Sequence, residues 1–182
     1  YYADRIYQIN LAIAGIAVGT VSLPVLAKAF KEKNSSKISN IQSRSLELSL
    51  LLSIPASIGL ILASTEIVNA LFGYGSFTIE NINMTALALK YFGYGIPAFA
   101  LIKILSNFFF ARNNTKTPFY ISTFIVLFNI LISITFFNKV GFVIIPIATS
   151  ISTWIGVMIY IYLLNDKNFL LLKNYLPKNI FK

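Results

Sequence analysis

Asp4 and Arg5 stand at the head of a long apolar stretch, Ile6 to Ala27, and Lys103 lies inside another. A charge at the centre of a membrane helix costs roughly 2.5–3.5 kcal/mol on insertion scales, so it persists where it pairs, faces a watery cavity or meets a charged ligand. Guanidinium offers a planar fork of donors that suits phosphate and stays charged in protein interiors. Arg5 is therefore a candidate for holding an anionic headgroup, with Asp4 as its orienting or pairing neighbour. An ion pair at the headgroup level of the bilayer fits the same two residues equally well. Lys103 precedes Arg112 by nine residues, about 13 Å of helix. It either reaches a cavity or snorkels toward the interface along its aliphatic stem. Lys90, nearer the opposite end of its run, is expected to snorkel.

Asn129, Ser133 and Thr149 are polar residues in two further apolar runs, and Asn129 and Ser133 share a helical face at i, i+4. Their oxygens suit a hard cation such as sodium, or interhelical hydrogen bonds, which is the commoner use of such residues. The rest of the reactive inventory is thin. The chain has no cysteine and no histidine, which excludes disulfide frameworks, thiol nucleophiles and imidazole acid–base or zinc chemistry. The six acids, Asp4, Glu32, Glu47, Glu66, Glu80 and Asp166, are scattered, and no two sit together in an apolar segment. Carboxylate-based hydrolysis finds no support, and the chain reads as a non-enzyme.

The elements that must position these residues follow from composition. Of 182 residues, 57% are hydrophobic and 12% charged, with a mean hydropathy of +0.74. A soluble domain is about 25% charged, so the deficit points to lipid as the main solvent. Five apolar segments run from about Tyr1 to Ala27, Leu46 to Phe72, Met84 to Phe110, Phe119 to Phe137 and Phe142 to Leu164. Each comes close to or exceeds the ~20 residues that an α-helix needs to cross ~30 Å of hydrocarbon. The second is the weakest, since Glu66 and Asn69 interrupt its far end. The runs are too long, and too little alternating, for barrel strands. The expected fold is an all-α integral membrane bundle in which residues 1–182 are part of a single transmembrane domain.

Loop charges assign direction. Lys28, Lys31, Lys33, Lys37 and Arg44 lie between spans one and two, whereas Gly73 to Asn83 has Glu80 and no base. Arg112 and Lys116 follow span three, Lys139 alone follows span four, and Lys167, Lys173, Lys178 and Lys182 follow span five. Basic and base-poor loops alternate as the positive-inside rule requires, placing Tyr1 outside and the tail in the cytoplasm. Topology thus accounts for the +9 net charge without a nucleic-acid partner. The tyrosines and phenylalanines fit interface belts and lipid-facing surfaces. Pro55, Pro97 and Pro146 fall inside spans, and Gly15 and Gly19 form a GxxxG; packing geometry is the simplest role for both features. The chain starts at Tyr1, at a polar–apolar boundary and with no signal-peptide pattern, and is read as a piece of a longer polytopic protein.

Several stretches in order carry a family likeness: YYADRIYQ at Tyr1 to Gln8, GIAVGTVSLP at Gly15 to Pro24, LFGYGSFT at Leu71 to Thr78, YFGYGIPAFALIKIL at Tyr91 to Leu105 and FFARNNTKTP at Phe109 to Pro118. The chain resembles the MurJ/MviN family of lipid II flippases, within the multidrug/oligosaccharidyl-lipid/polysaccharide exporter superfamily. The likeness covers nearly the whole chain and weakens after about Pro118. It implies a protein of about fourteen helices, with helices eight to twelve here, located in the bacterial inner membrane. The implied activity is movement of lipid II, or a similar undecaprenyl-pyrophosphate-linked glycan, by alternating access, in a full-length protein that is a monomer among membrane lipids and uses no organic cofactor. Arg5 then matches the cavity arginine, Asp4 its acidic neighbour, and Lys103 the basic residue of the tenth helix, all three as substrate-binding residues. Some members hold sodium, and Asn129 and Thr149 match that site here, but Ser133 stands where those members have an aspartate. Asn10 replaces a common proline, which is expected to straighten span one locally, and Asn114 replaces a loop aspartate. The competing readings are a flippase for another polyprenyl-linked glycan, a membrane scaffold whose charges are purely structural, and an integral-membrane transferase, which the shortage of acids disfavours.

Overall fold

A computed structural model describes residues 2–75 and 77–166, and among them every regular element is helical. The tail lysines, Lys167 onward, and Tyr1 lie outside the described residues. Helix α1 (Tyr2–Leu11) passes through a π-helical turn, Ala12–Ala17, into α2 (Val18–Lys31). Then come α3 (Ser35–Leu62), a short α4 (Ser64–Phe72), α5 (Ile79–Phe110), α6 (Lys116–Val140) and, after a 3-10 turn at Gly141–Val143, α7 (Ile144–Asp166).

Four helical stretches are long and apolar enough to cross a membrane; the last, Lys116–Asp166, counts 51 residues. As one rod it would reach about 76 Å, more than twice the ~30 Å hydrocarbon core. Instead it folds back at Gly141, whose φ of 72° is open to glycine and costly for other residues. The Asn129 amide on α6 meets the Thr149 hydroxyl on α7 at 2.9 Å across the resulting hairpin. The bundle therefore makes five crossings, in the expected order.

Some boundaries differ from the sequence reading. Span two begins at Ser35, so Lys37 and Arg44 ride on helix instead of loop. The Asn34 side chain accepts a hydrogen bond from the Lys37 amide at 3.0 Å, an N-cap that starts the helix well before its apolar part. The same span ends at Leu62, not Phe72, and Ser64-Thr65-Glu66 opens a separate helix with its acid in the first turn, where the dipole favours it. Pro146 sits in the first turn of α7, where a proline displaces no helical hydrogen bond. It starts that helix and does not kink it. Span one is not a plain straight helix either, because the π-helical turn follows directly on Asn10 and Leu11.

The directions of the helices can be read from their side-chain contacts. Tyr7 stacks on Phe92, Gly15 lies beside Ala100, and the Asn107 amide reaches the Gly19 carbonyl, so span one and α5 run parallel. Ser150 and Trp154 meet Tyr91 and Tyr94, and Phe109 meets Tyr160, so α7 runs parallel to both. Spans two and four run the other way. The Arg112 guanidinium lies 4.5 Å over the Phe30 ring, bringing the basic loops after α2 and α5 to one end. At the other end the rings of Tyr2, Phe72 and Phe77 pack together. Helix α5 is central: Leu89, Ile96, Ala98, Ile104, Phe108 and Phe109 are fully buried, whereas α6 buries only Pro118 and Ile121.

Candidate functional site

Span one and α5 approach closely because Gly15 and Gly19 face α5. A Cβ on Gly15 would stand 3.2 Å from the Ala100 Cα and 3.4 Å from the Lys103 Cγ, and one on Gly19 would stand 3.1 Å from the Asn107 Nδ2. The GxxxG is thus a packing face of the kind expected between membrane helices. The buried Asn107 amide donates to the Gly19 carbonyl at 2.8 Å. This face fixes Lys103, whose stem lies along Gly15 while the residue is exposed.

Arg5 is also exposed, on the face of α1 opposite the buried Ala3, Ile6 and Tyr7. Asp4 is half-buried, and its carboxylate accepts a hydrogen bond from the Gln8 Nε2 at 2.7 Å. With Tyr2, Ala3, Met84, Thr85, Ala88, Phe92, Phe142, Ile145 and Pro146, Asp4 lines a cleft of about 390 Å³ between the starts of α1, α5 and α7. Asp4 and Arg5 are neighbours in sequence that serve different surfaces.

The two cations are not brought into one pocket. Lys103 lies level with Gly15, ten residues past Arg5, which is about 15 Å farther along the axis. Lys90 is near the level of Arg5, since Phe92 stacks on Tyr7, and it is exposed. The arrangement sets two exposed cations at different depths on adjacent helices. It does not form a single clamp.

The Asn129 Nδ2 donates to the Thr149 Oγ1 at 2.9 Å, and the Ser133 Oγ donates to the Asn129 Oδ1 at 3.2 Å. The Thr149 hydroxyl donates in turn to the Ile145 carbonyl at 2.7 Å. All three side chains are neutral and engaged, and residues 116–165 contain no acid. This donor set makes a chain of helix–helix hydrogen bonds, and to a hard cation it would offer only neutral oxygens.

Sequence reasoning missed three features. Gln42, Ser45, Ser49, Ser53 and Ser57 make a buried polar stripe along α3; their spacing of three to four was visible in an apolar run. Trp154 donates to the Tyr94 carbonyl at 3.0 Å, which nothing in the sequence signals. Burial lowers the pKa of Arg112 to about 10; it remains a cation at neutral pH. The Asn114 side chain accepts from the Thr117 amide and donates to its hydroxyl, so the replacement of the loop aspartate keeps a cap on α6 while dropping a charge.

Apolar helices crossing five times, with cations standing on two adjacent ones, define a multi-pass α-helical membrane protein. The family model described as "MurJ: Lipid II flippase MurJ" matches residues 1–180, and the chain belongs to that family, one of flippases and not of enzymes. It is 39% identical over 155 residues to the "Probable lipid II flippase MurJ" of Rhizobium tropici, covering 85% of this chain and 29% of that protein. The counterpart of the same description in Rickettsia prowazekii is 36% identical over 162 residues, covering 88% of this chain and 32% of that protein. A solved structure, "Lipid II flippase MurJ, inward closed conformation", superposes with a TM-score of 0.83 at 30% identity, covering 94% of this chain and 37% of that one. The chain spans about three-tenths of the length of the curated relatives it matches.

Proposed function

We propose that this chain is part of a lipid II flippase of the bacterial inner membrane, within a single transmembrane domain that is completed by helices beyond these five. The observation that carries the reading is the family match over residues 1–180. The exposure of Arg5 and Lys103 on the adjacent helices α1 and α5 is consistent with it. The substrate is lipid II or a similar pyrophosphate-linked glycan lipid. Loaded from the cytoplasmic side, the anionic headgroup meets Lys103 first and Arg5 later, nearer the periplasmic end. Asp4 tunes the approach from the neighbouring cleft. Both charges suit the two phosphates of such a headgroup, because guanidinium binds phosphate through paired donors and lysine acts as a mobile point charge. The end bearing Lys28, Lys31, Arg44, Arg112 and Lys116 faces the cytoplasm, as the positive-inside rule requires. The protein acts as a monomer.

The test uses the intact gene in a bacterium depleted of its own lipid II flippase, with wild type, Arg5→Ala and Lys103→Ala at matched membrane abundance. Growth rescued by wild type and lost with Arg5→Ala supports the reading. Failure of a properly inserted wild type transfers it to another glycan carrier or to a scaffold, and rescue by both variants reduces the two charges to structural parts.

A further inference from the structure

Pro97 lies inside α5 and has no amide hydrogen, so the carbonyl four residues earlier, that of Gly93, loses its helical partner. The carbonyl three residues earlier, Tyr94, is the next to be loosened as the ring pushes the turn open. Both are occupied from outside the helix. The Ser57 hydroxyl on α3 donates to the Gly93 carbonyl at 2.7 Å, and the Trp154 indole on α7 donates to the Tyr94 carbonyl at 3.0 Å. Ser150 on α7 adds a third bond, to the Tyr91 carbonyl, at 2.7 Å. Gly93 and Gly95 let α3 and α7 come this close: a Cβ on Gly93 would stand 2.9 Å from the Ile61 Cγ1, and one on Gly95 would stand 2.7 Å from the Ser150 Oγ.

The two halves of α5 on either side of Pro97 have different surroundings. The outer half packs Ala86, Leu89 and Ile96 into a core shared with Ile6 and Tyr7 of α1 and Val68 of α4, and it lines the cleft beside Asp4 with Met84, Thr85, Ala88 and Phe92. The inner half carries Lys103 and is tied down by the Asn107–Gly19 bond and by the packing of Phe109 on Tyr160. A helix loosened at one point, with each half packed into a different core, has the build of a hinge.

We propose that Pro97 is a hinge on which the outer half of α5 swings to widen or narrow this cleft, and that Ser57 and Trp154 are positioning residues that latch the narrow state. The proposal rests on the transporter reading above, for which it supplies a moving part. In the latched state the freed carbonyls are satisfied by α3 and α7. In the wide state they exchange those donors for water or other groups, so each latch biases the equilibrium without being required for folding.

The experiment uses the intact protein with any cysteine outside this region replaced; the chain itself has none. Spin labels at Met84→Cys and Ile145→Cys report the cleft width, and a second pair at Phe110→Cys and Tyr162→Cys reports the anchored half. Losing one interhelical hydrogen bond is expected to raise the wide population about threefold in Ser57→Ala and in Trp154→Phe, which keeps the ring and removes the donor. The inner pair should not move. Pro97→Ala restores the missing donor and should leave one distance at the outer pair. Outer distances unchanged in both Ser57→Ala and Trp154→Phe would overturn the hinge, as would inner distances that shift as far as the outer ones. Distance shifts in these variants of a protein whose wild type moves no lipid II would overturn the transporter reading while supporting the hinge.

Discussion

Gly15 offers a quantitative test of how closely span one approaches α5. A methyl at this position would stand 3.2 Å from the Ala100 Cα, 3.3 Å from the Leu11 Cδ1 and 3.4 Å from the Lys103 Cγ. The first contact is with backbone, so relief requires the two helices to part by a few tenths of an ångström. Exchanging glycine for alanine in a helix is worth up to about 1 kcal/mol in propensity, which offsets a mild clash; Gly15→Ala should be close to neutral. Gly15→Val adds two methyls to a contact that is already full, and overpacking of this kind costs about 1–3 kcal/mol. Gly59, with nothing within 4 Å of an added Cβ, is the control: Gly59→Ala should be neutral or stabilising. Reversible unfolding of the intact protein in mixed detergent micelles measures all three. Gly15→Val as stable as wild type would refute the close approach, and with it the placement of the Lys103 stem.

Three further predictions follow from the same contacts. Asn107→Leu removes the bond to the Gly19 carbonyl, which also accepts from the Ser22 hydroxyl at 3.2 Å; the loss in the same unfolding assay should lie near the ~0.6 kcal/mol average for membrane hydrogen bonds and below about 1.7 kcal/mol. Withdrawal of sodium should leave the thermal stability of the intact protein unchanged at the Asn129–Thr149 pair, and Thr149→Val should destabilise it equally with and without sodium. A sodium-dependent stabilisation that disappears in Thr149→Val would make the pair a cation site instead. The hydrogen bond from Lys37 holds the Glu32 carboxyl below its ordinary value, so its contribution is present above the unfolded pKa and is lost as pH falls through the folded one. Lys37→Met should move the Glu32 titration, followed by NMR, upward toward the ordinary carboxylate range.

Much of the fold was legible because membrane spans are written in long apolar runs, and the loop lysines fix their alternation. The boundaries at Ser35 and Leu62 were not legible in that way. Hydropathy reports where the lipid is, whereas caps such as Asn34 and the Ser64-Thr65-Glu66 start decide where helices begin. The π-helical turn after Leu11 left no signal in composition. For the site, residue type marked Asp4, Arg5 and Lys103 as unusual, but their relation is three-dimensional. Asp4 turns into a cleft while Arg5 points away, and Lys103 is one helix over and about 15 Å along. The latches on α5 were half legible: Pro97 announces a freed carbonyl, but which donors on α3 and α7 satisfy it depends on packing between segments that are far apart in sequence.

The most direct measurement is the fraction of lipid II reachable from the periplasmic face in cells that depend on the intact protein, compared among wild type, Arg5→Ala and Arg5→Lys at equal membrane abundance. Exposure should be normal with wild type, almost completely lost with Arg5→Ala, and partial with Arg5→Lys, which keeps the charge and loses the paired donors. Wild-type levels of periplasmic lipid II in cells carrying Arg5→Ala would contradict a headgroup-binding role for Arg5.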